Sequence, residues 1–124
     1  MIHCKVTQTS SQQQFYVSFV YGANSIAGRI PLWQDLEHTF QAIQGPWCVV
    51  GDFNSILHPK ERMGGEEVHY AEIKDFNQRL KDCDLYEINT SRVFFIWTNK
   101  IVWSKINRVL VNSLWHQSMG STHV

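Results

Sequence analysis

The sequence predicts a mixed α/β (α+β) domain built in layers. Five short segments rich in β-branched and aromatic residues alternate with two amphipathic stripes at helical spacing. Their order is strand, strand, helix, strand, helix, strand, strand, which suits neither a bundle nor a Rossmann unit. Neither a G-x-G-x-x-G turn nor a P-loop lysine motif occurs, and there is no internal repeat. At 124 residues, 44% hydrophobic and 18% charged, the chain has the size and composition of one globular domain with one core.

The first two strands are "IHCKV" and "FYVSFVYG", separated by the polar tract "TQTSSQQQ", which predicts a hairpin. In "NSIAGRIPLWQDLEHTFQAIQGPW", Ile30, Trp33, Leu36, Phe40 and Ile43 recur every three or four residues, the stripe of an amphipathic helix. Pro31 suits its first turn and Gly45-Pro46 its end. "WCVV" reads as a short strand buried on both faces, and "HPKERMGG" as a loop closed by two glycines. A second helix, "AEIKDFNQRLKDCDL", lines up Ile73, Phe76, Leu80 and Cys83. "RVFFIWTN" and "KINRVLVN" close the chain as strands flanking "KIVWS".

Composition narrows the setting. Cys4, Cys48 and Cys83 lack C-x-x-C spacing, so neither a disulfide framework nor a cysteine zinc site is expected. A reducing intracellular location, nuclear or cytoplasmic rather than secreted, is. No apolar run approaches the ~20 residues of a membrane span, and the opening "MIHCKVTQTSSQQQ" lacks a signal peptide's apolar stretch. The net charge of zero hides an uneven spread. Residues 52–87 carry nine acids and five bases, whereas Arg92, Lys100, Lys105 and Arg108 face no acid from residue 88 onward. A basic end beside an acidic middle would suit a polyanion held against metal-binding carboxylates, or is simply scattered surface charge.

Three stretches could carry chemistry. In "GDFN", alternation along a strand puts Asp52 and Asn54 on one side and Phe53 on the other, and Gly51 permits a bend or a close ligand. Asp52 could take a proton from water or bind a hard cation, and Asn54 could bond a phosphate oxygen without adding negative charge. The plainer alternative is an Asx turn closing the strand. In "VYGAN", Tyr21 and Asn24 could reach a phosphate, or merely form a turn. In "FFIWTN" and "WSKINRVLVN", Trp97 and Trp103 offer flat surfaces for a base or for a core. Arg108 could grip phosphate or lie on a solvated face. The six histidines are dispersed and no G-x-S-x-G elbow occurs, so zinc-protease and serine-hydrolase signals are lacking.

In this order the motifs resemble the endonuclease/exonuclease/phosphatase (DNase-like) superfamily, most closely the endonuclease domain of plant non-LTR retrotransposon polyproteins, which also encode reverse transcriptase. That family reads "VYG-x-N", "R-x-x-LW-x-x-L", "GPW-x-x-x-GDFN", "ER-x-GG", "F-x-x-x-L-x-x-C-x-L", "F-x-W-x-N" and "W-x-x-LDR-x-L-x-N-x-x-W". This chain has "VYGAN", "RIPLWQDL", "GPWCVVGDFN", "ERMGG", "FNQRLKDCDL", "FIWTN" and "WSKINRVLVNSLW". The resemblance implies a four-layered α/β sandwich, two mixed β-sheets face to face with helices outside. It also implies Mg2+-assisted hydrolysis of a DNA phosphodiester. Tyr21 and Asn24 would line the phosphate site, with Trp97 beside the substrate. Asp52 would activate or orient the attacking water, and Asn54 would hold the phosphate and a catalytic imidazole.

Three departures accompany it. The family's metal-binding glutamate belongs to a segment upstream of the matched motifs, and none of Glu37, Glu61, Glu66 or Glu67 is placed to replace it. Its closing serine-aspartate-histidine motif has no match, since "STHV" has Thr122 for the aspartate and His123 comes only sixteen residues after Asn107. The aspartate of "LDR" is Asn107 here, and an amide cannot stabilise an imidazolium by charge. Residues 1–124 are thus expected to be the central portion of one such domain, inactive alone. The rival expectations are a nucleic-acid-binding or interaction remnant and a phosphatase-type member completed by a partner chain.

Overall fold

In the structure, a computed structural model, residues 1–23, 25–63, 70–88, 95–99, 102–105 and 107–119 are described, with side chains over 1–23, 25–61, 70–88 and 108–118. β1 (Ile2–Thr7) and β2 (Gln14–Tyr21) form the expected antiparallel hairpin, Ile2 opposite Phe19. A 3-10 turn, Ala27–Arg29, leads into α1 (Ile30–Ala42), and β3 (Trp47–Asp52) returns parallel to β2. A second 3-10 turn, Pro59–Glu61, and the two-residue β4 (Arg62–Met63) occupy what the sequence suggests is only loop. Then come α2 (Tyr70–Asp82), β5 (Leu85–Glu87), β6 (Phe95–Asn99), β7 (Val102–Lys105), β8 (Asn107–Asn112) and α3 (Ser113–Met119).

The chain is therefore mixed α/β, as expected at that level; the described residues include three helices and a five-stranded sheet in the order β1-β2-β3-β8-β5. Among its described strands the β2–β3 pair is parallel, as its α1 crossover requires, and the other pairs are antiparallel. A separate sheet, β4-β7-β6, is antiparallel rather than mixed. β5, β7 and α3 have no counterpart in the sequence expectation. Segments of three, four and seven residues are too short to display a period.

Alternation divides the core between the two faces of the sheet. Val20, Trp47, Val49 and Leu110 join Leu32, Trp33 and Leu36 of α1 and Phe76 and Leu80 of α2 on one face. Cys48 and Val111 join Ile88 on the other, with Trp115 of α3 packed against them. Both faces of β3 are thus covered, which is why "WCVV" is apolar without a break. The stripe expected of α1 needs correction. Ile30 and Phe40 are exposed, and the buried edge is Leu32, Trp33 and Leu36, because the helix is turned to face the sheet and α2. It also ends before Gly45, with Ile43 already extended.

Asn112 pins the start of β3 to the end of β8. Its Oδ1 accepts from the amides of Trp47 and Trp115, at 3.0 and 2.9 Å, and its Nδ2 donates to the Gly45 carbonyl at 3.0 Å. Trp47 is fully buried, so Asn112→Ala strands an amide away from water. We expect a loss of about 2–3 kcal/mol in urea unfolding, with roughly half regained in Asn112→Asp, which keeps the acceptor and loses the donor. Among the described residues, no helix is long and apolar enough to cross a membrane.

Candidate functional site

The expected site residues come from distant motifs, and the sheet aligns three of them. Tyr21 is the register partner of Asp52 across the β2–β3 pair, and Asp52 is the partner of Asn107 across β3–β8. These positions form one row at one end of three neighbouring strands. Register partners share a sheet face, so the row lies on the face opposite the α1–α2 core. Tyr21 is exposed and Asp52 half-buried. The side chains of Asn107 and Trp97 lie outside the described residues, as does all of Asn24. The backbone of Trp97 is in β6, opposite Trp103.

Phe53 turns away from the row into the core, fully buried between Trp33, Phe76 and the sheet, as alternation predicts. Asn54 then leaves the strand at φ 49°, a left-handed conformation that asparagine tolerates better than most residues. Its amide donates to Asp52 Oδ1 at 2.8 Å, the Asx turn offered above as the plainer alternative. Its Nδ2 donates to the Gly22 carbonyl at 2.7 Å, and the Gly22 amide donates to the Asp52 carbonyl at 2.6 Å. The loops after β2 and β3 are thereby laced together. Gly22 is required for this approach, since a Cβ there would land on the Phe53 carbonyl.

Burial pushes the Asp52 carboxyl above its usual 3.8, and the hydrogen bond from Asn54 partly opposes that. The sign follows from linkage. A raised folded value means the charged form costs stability, a cost absent below the unfolded value and fully present above the folded one. Asp52→Asn, which keeps the acceptor for Asn54, should therefore stabilise the fold at neutral pH by roughly 0.5–1 kcal/mol. The gain is modest because the group is half-exposed and partly screened. Urea midpoints of variant and wild type should converge as pH falls towards 3.8. A gap independent of pH would rule out a strained carboxylate.

Arg108 sits elsewhere than the substrate contact or solvated face expected of it. It pairs with Gly51, one step along β8 from Asn107, so alternation sends it to the opposite, core-facing side. There it is buried and bonded to Glu61 and Glu87, and its Nη2 donates to the Ser55 carbonyl at 3.1 Å. The uneven charge of the sequence closes partly on itself, because a base from the acid-free end is neutralised by two acids of the middle.

Sequence reasoning also missed Arg29 and Glu72, which face each other at 3.2 Å, both buried, behind the two loops. One signal was available for the glutamate. Glu72 lies four residues before Phe76 and eight before Leu80, a charge standing on the apolar stripe of α2. For Arg29 the only hint is its place in "RIPLW".

As a donor set, the row offers one carboxylate. Asp52 Oδ1 holds the Asn54 amide, and no described group bonds Oδ2. Magnesium is usually held by one or two protein carboxylates plus waters and substrate phosphates, so Asp52 fits as one contact of such a site. Among the described residues no three histidine, cysteine or acidic side chains gather into a closed cage. No family model matches the chain, and no curated protein matches it.

Proposed function

We propose that the chain is the central part of a DNase-like domain of the endonuclease/exonuclease/phosphatase superfamily, of the plant non-LTR retrotransposon kind. Its edge row would then belong to a site for hydrolysing DNA phosphodiesters. One observation carries the reading: Tyr21, Asp52 and Asn107, drawn from three separate motifs, fall in one register row, with Asn54 folded back beside them. An Asx turn needs only its own residues and gives no reason for the ends of β2 and β8 to coincide with it.

The four-layered sandwich is part of the same proposal. On the face carrying the row, Ile2, Phe19 and Tyr21 are 67%, 49% and 80% exposed, a bare surface beside the part covered by α3. Exposed apolar area on a sheet face asks for a partner layer, and a second sheet would supply it.

In this reading Asp52 orients the attacking water and accepts its proton, a task helped by a carboxyl raised towards working pH. Asn54 keeps one amide proton for a phosphate oxygen while the other holds Gly22. Mg2+, when bound at Asp52, would neutralise charge developing on the phosphate. Among the described residues the other two family groups have no candidate. Glu37 is paired with Arg79 and Glu61 with Arg108, whereas Glu66 and Glu67 lie outside the described residues. The chain alone is therefore expected to be inactive.

The test is Mg2+-dependent nicking of supercoiled DNA by the chain alone and by the chain extended with in-frame flanking coding sequence. We expect no cleavage by the first. We expect cleavage by the second, weakened by the Asn107 amide, that falls about 10²–10⁴-fold in Asp52→Ala. Cleavage by the chain alone, lost in Asp52→Ala, would overturn its inactivity. An extended chain that never nicks, or nicks equally well without Asp52, would overturn the enzymatic reading.

A further inference from the structure

One buried cation lies behind the candidate row and touches both of its loops. Arg29 is buried at the end of the 3-10 turn before α1. Its Nη1 donates to the Ala23 carbonyl at 3.0 Å and to the Asn54 carbonyl at 2.7 Å, and its Nη2 faces Glu72 Oε1 at 3.2 Å. Ala23 lies in the loop after β2, Asn54 in the loop after β3 and Glu72 in the first turn of α2. One guanidinium therefore ties both loops of the row to a helix.

Asn54 is consequently held at three polar groups. Its amide donates to Asp52, its side chain to Gly22, and its carbonyl accepts from Arg29. Asparagine tolerates the left-handed region of Asn54, and these bonds hold it there. The first bond closes the turn at the end of β3, the second joins that loop to the loop after β2, and the third anchors both to the body of the protein.

We infer that Arg29, with Glu72 as its buried counter-ion, is a positioning residue: it fixes the Asn54 amide and the Asp52 carboxylate relative to each other. As a statement about catalysis this rests on the function proposed above; as a statement about the loops it does not. Only arginine suits the place. Its rigid planar fork serves two carbonyls and a carboxylate at once, whereas a lysine ammonium is a compact charge on a flexible stem. Glu72 is what makes burial of that charge tolerable.

Arg29→Lys separates positioning from general packing. Native-state amide exchange, followed by NMR, should quicken about tenfold or more at Gly22 and Asn54 while the central amides of β3 and β8 hold their protection. The Asn54 side-chain amide resonances should shift with it. Should Arg29→Lys fold too poorly to measure, Glu72→Gln keeps the fork and removes its counter-ion, and the same two amides should respond. Uniform quickening across the sheet, or none at Gly22 and Asn54, overturns the inference. Titration with Mg2+ alone, read at Asp52 and Asn54, keeps the two claims apart. A wild-type response that Arg29→Lys weakens supports positioning. A wild type that never responds counts against the proposed function and leaves the exchange rates to decide the clamp.

Discussion

Arg108→Met should cost about 3–5 kcal/mol, a large share of a typical domain's whole stability. The size follows from what is left behind. The guanidinium bonds both oxygens of Glu61 and, at 3.0 Å, one of Glu87, and it lies 5.2 Å above the Phe76 ring. Methionine fills the space and abandons two carboxylates largely out of water. The guanidinium offsets much of the cost of holding them there. Adding Glu61→Gln and Glu87→Gln should restore much of the loss, since replacing a buried ionic group whole is far cheaper than breaking it. Urea unfolding followed by tryptophan fluorescence reads both. A near-neutral single variant would mean that Arg108 spends its time in solvent, where a phosphate contact would again be open to it. Glu61 also accepts from the Leu57 amide, so the same loss should loosen the 57–61 loop.

Gly51→Ala is the second large effect, about 3 kcal/mol or more. Gly51 has φ 136°, where side chains are strained, and an added Cβ would fall on the Val20 carbonyl of the neighbouring parallel strand. That obstacle is backbone, so no rotamer change relieves it, and β2 must separate from β3 at the end that carries Asp52. The urea midpoint should drop sharply. Restoring the midpoint by a compensating core change should still leave Asp52 displaced relative to Tyr21, visible as shifted resonances at both. An alanine variant as stable as wild type would show that the close approach is absent. The sequence suggested that Gly51 allows a bend or a close ligand. In the structure, the close neighbour is the protein's own backbone.

Much of the architecture could be read along the chain because its signals are local. The β1–β2 hairpin, the buried Phe76 and Leu80 of the α2 stripe (Ile73 is only half-buried and Cys83 follows the helix end), the two-sided burial of "WCVV" and the inward turn of Phe53 all follow from periods of two or 3.6 residues. Side-chain partners chosen over long separations could not be read that way. The Arg108–Glu61 contact spans 47 residues and the Trp47–Asn112 bond 65, and nothing near either residue announces the other. The exposed Ile30 and Phe40 failed for a related reason, since a helix's stripe shows which residues share a side but not which edge of it the sheet will take.

By itself the sequence determined the class of the fold, the strand that ends at Asp52, and the set of motifs from which the candidate site residues were drawn; that Asn54 lies beyond the strand, in a left-handed turn, was not legible there. Tertiary structure alone decided that Tyr21, Asp52 and Asn107 share a row, that Arg108 is a buried counter-ion, and that Arg29 ties the two loops together. The physical reason is the reach of the forces. Periodicity and turn chemistry act within a few residues, whereas strand register and the pairing of buried charges are settled only when distant segments are packed and water has been excluded between them.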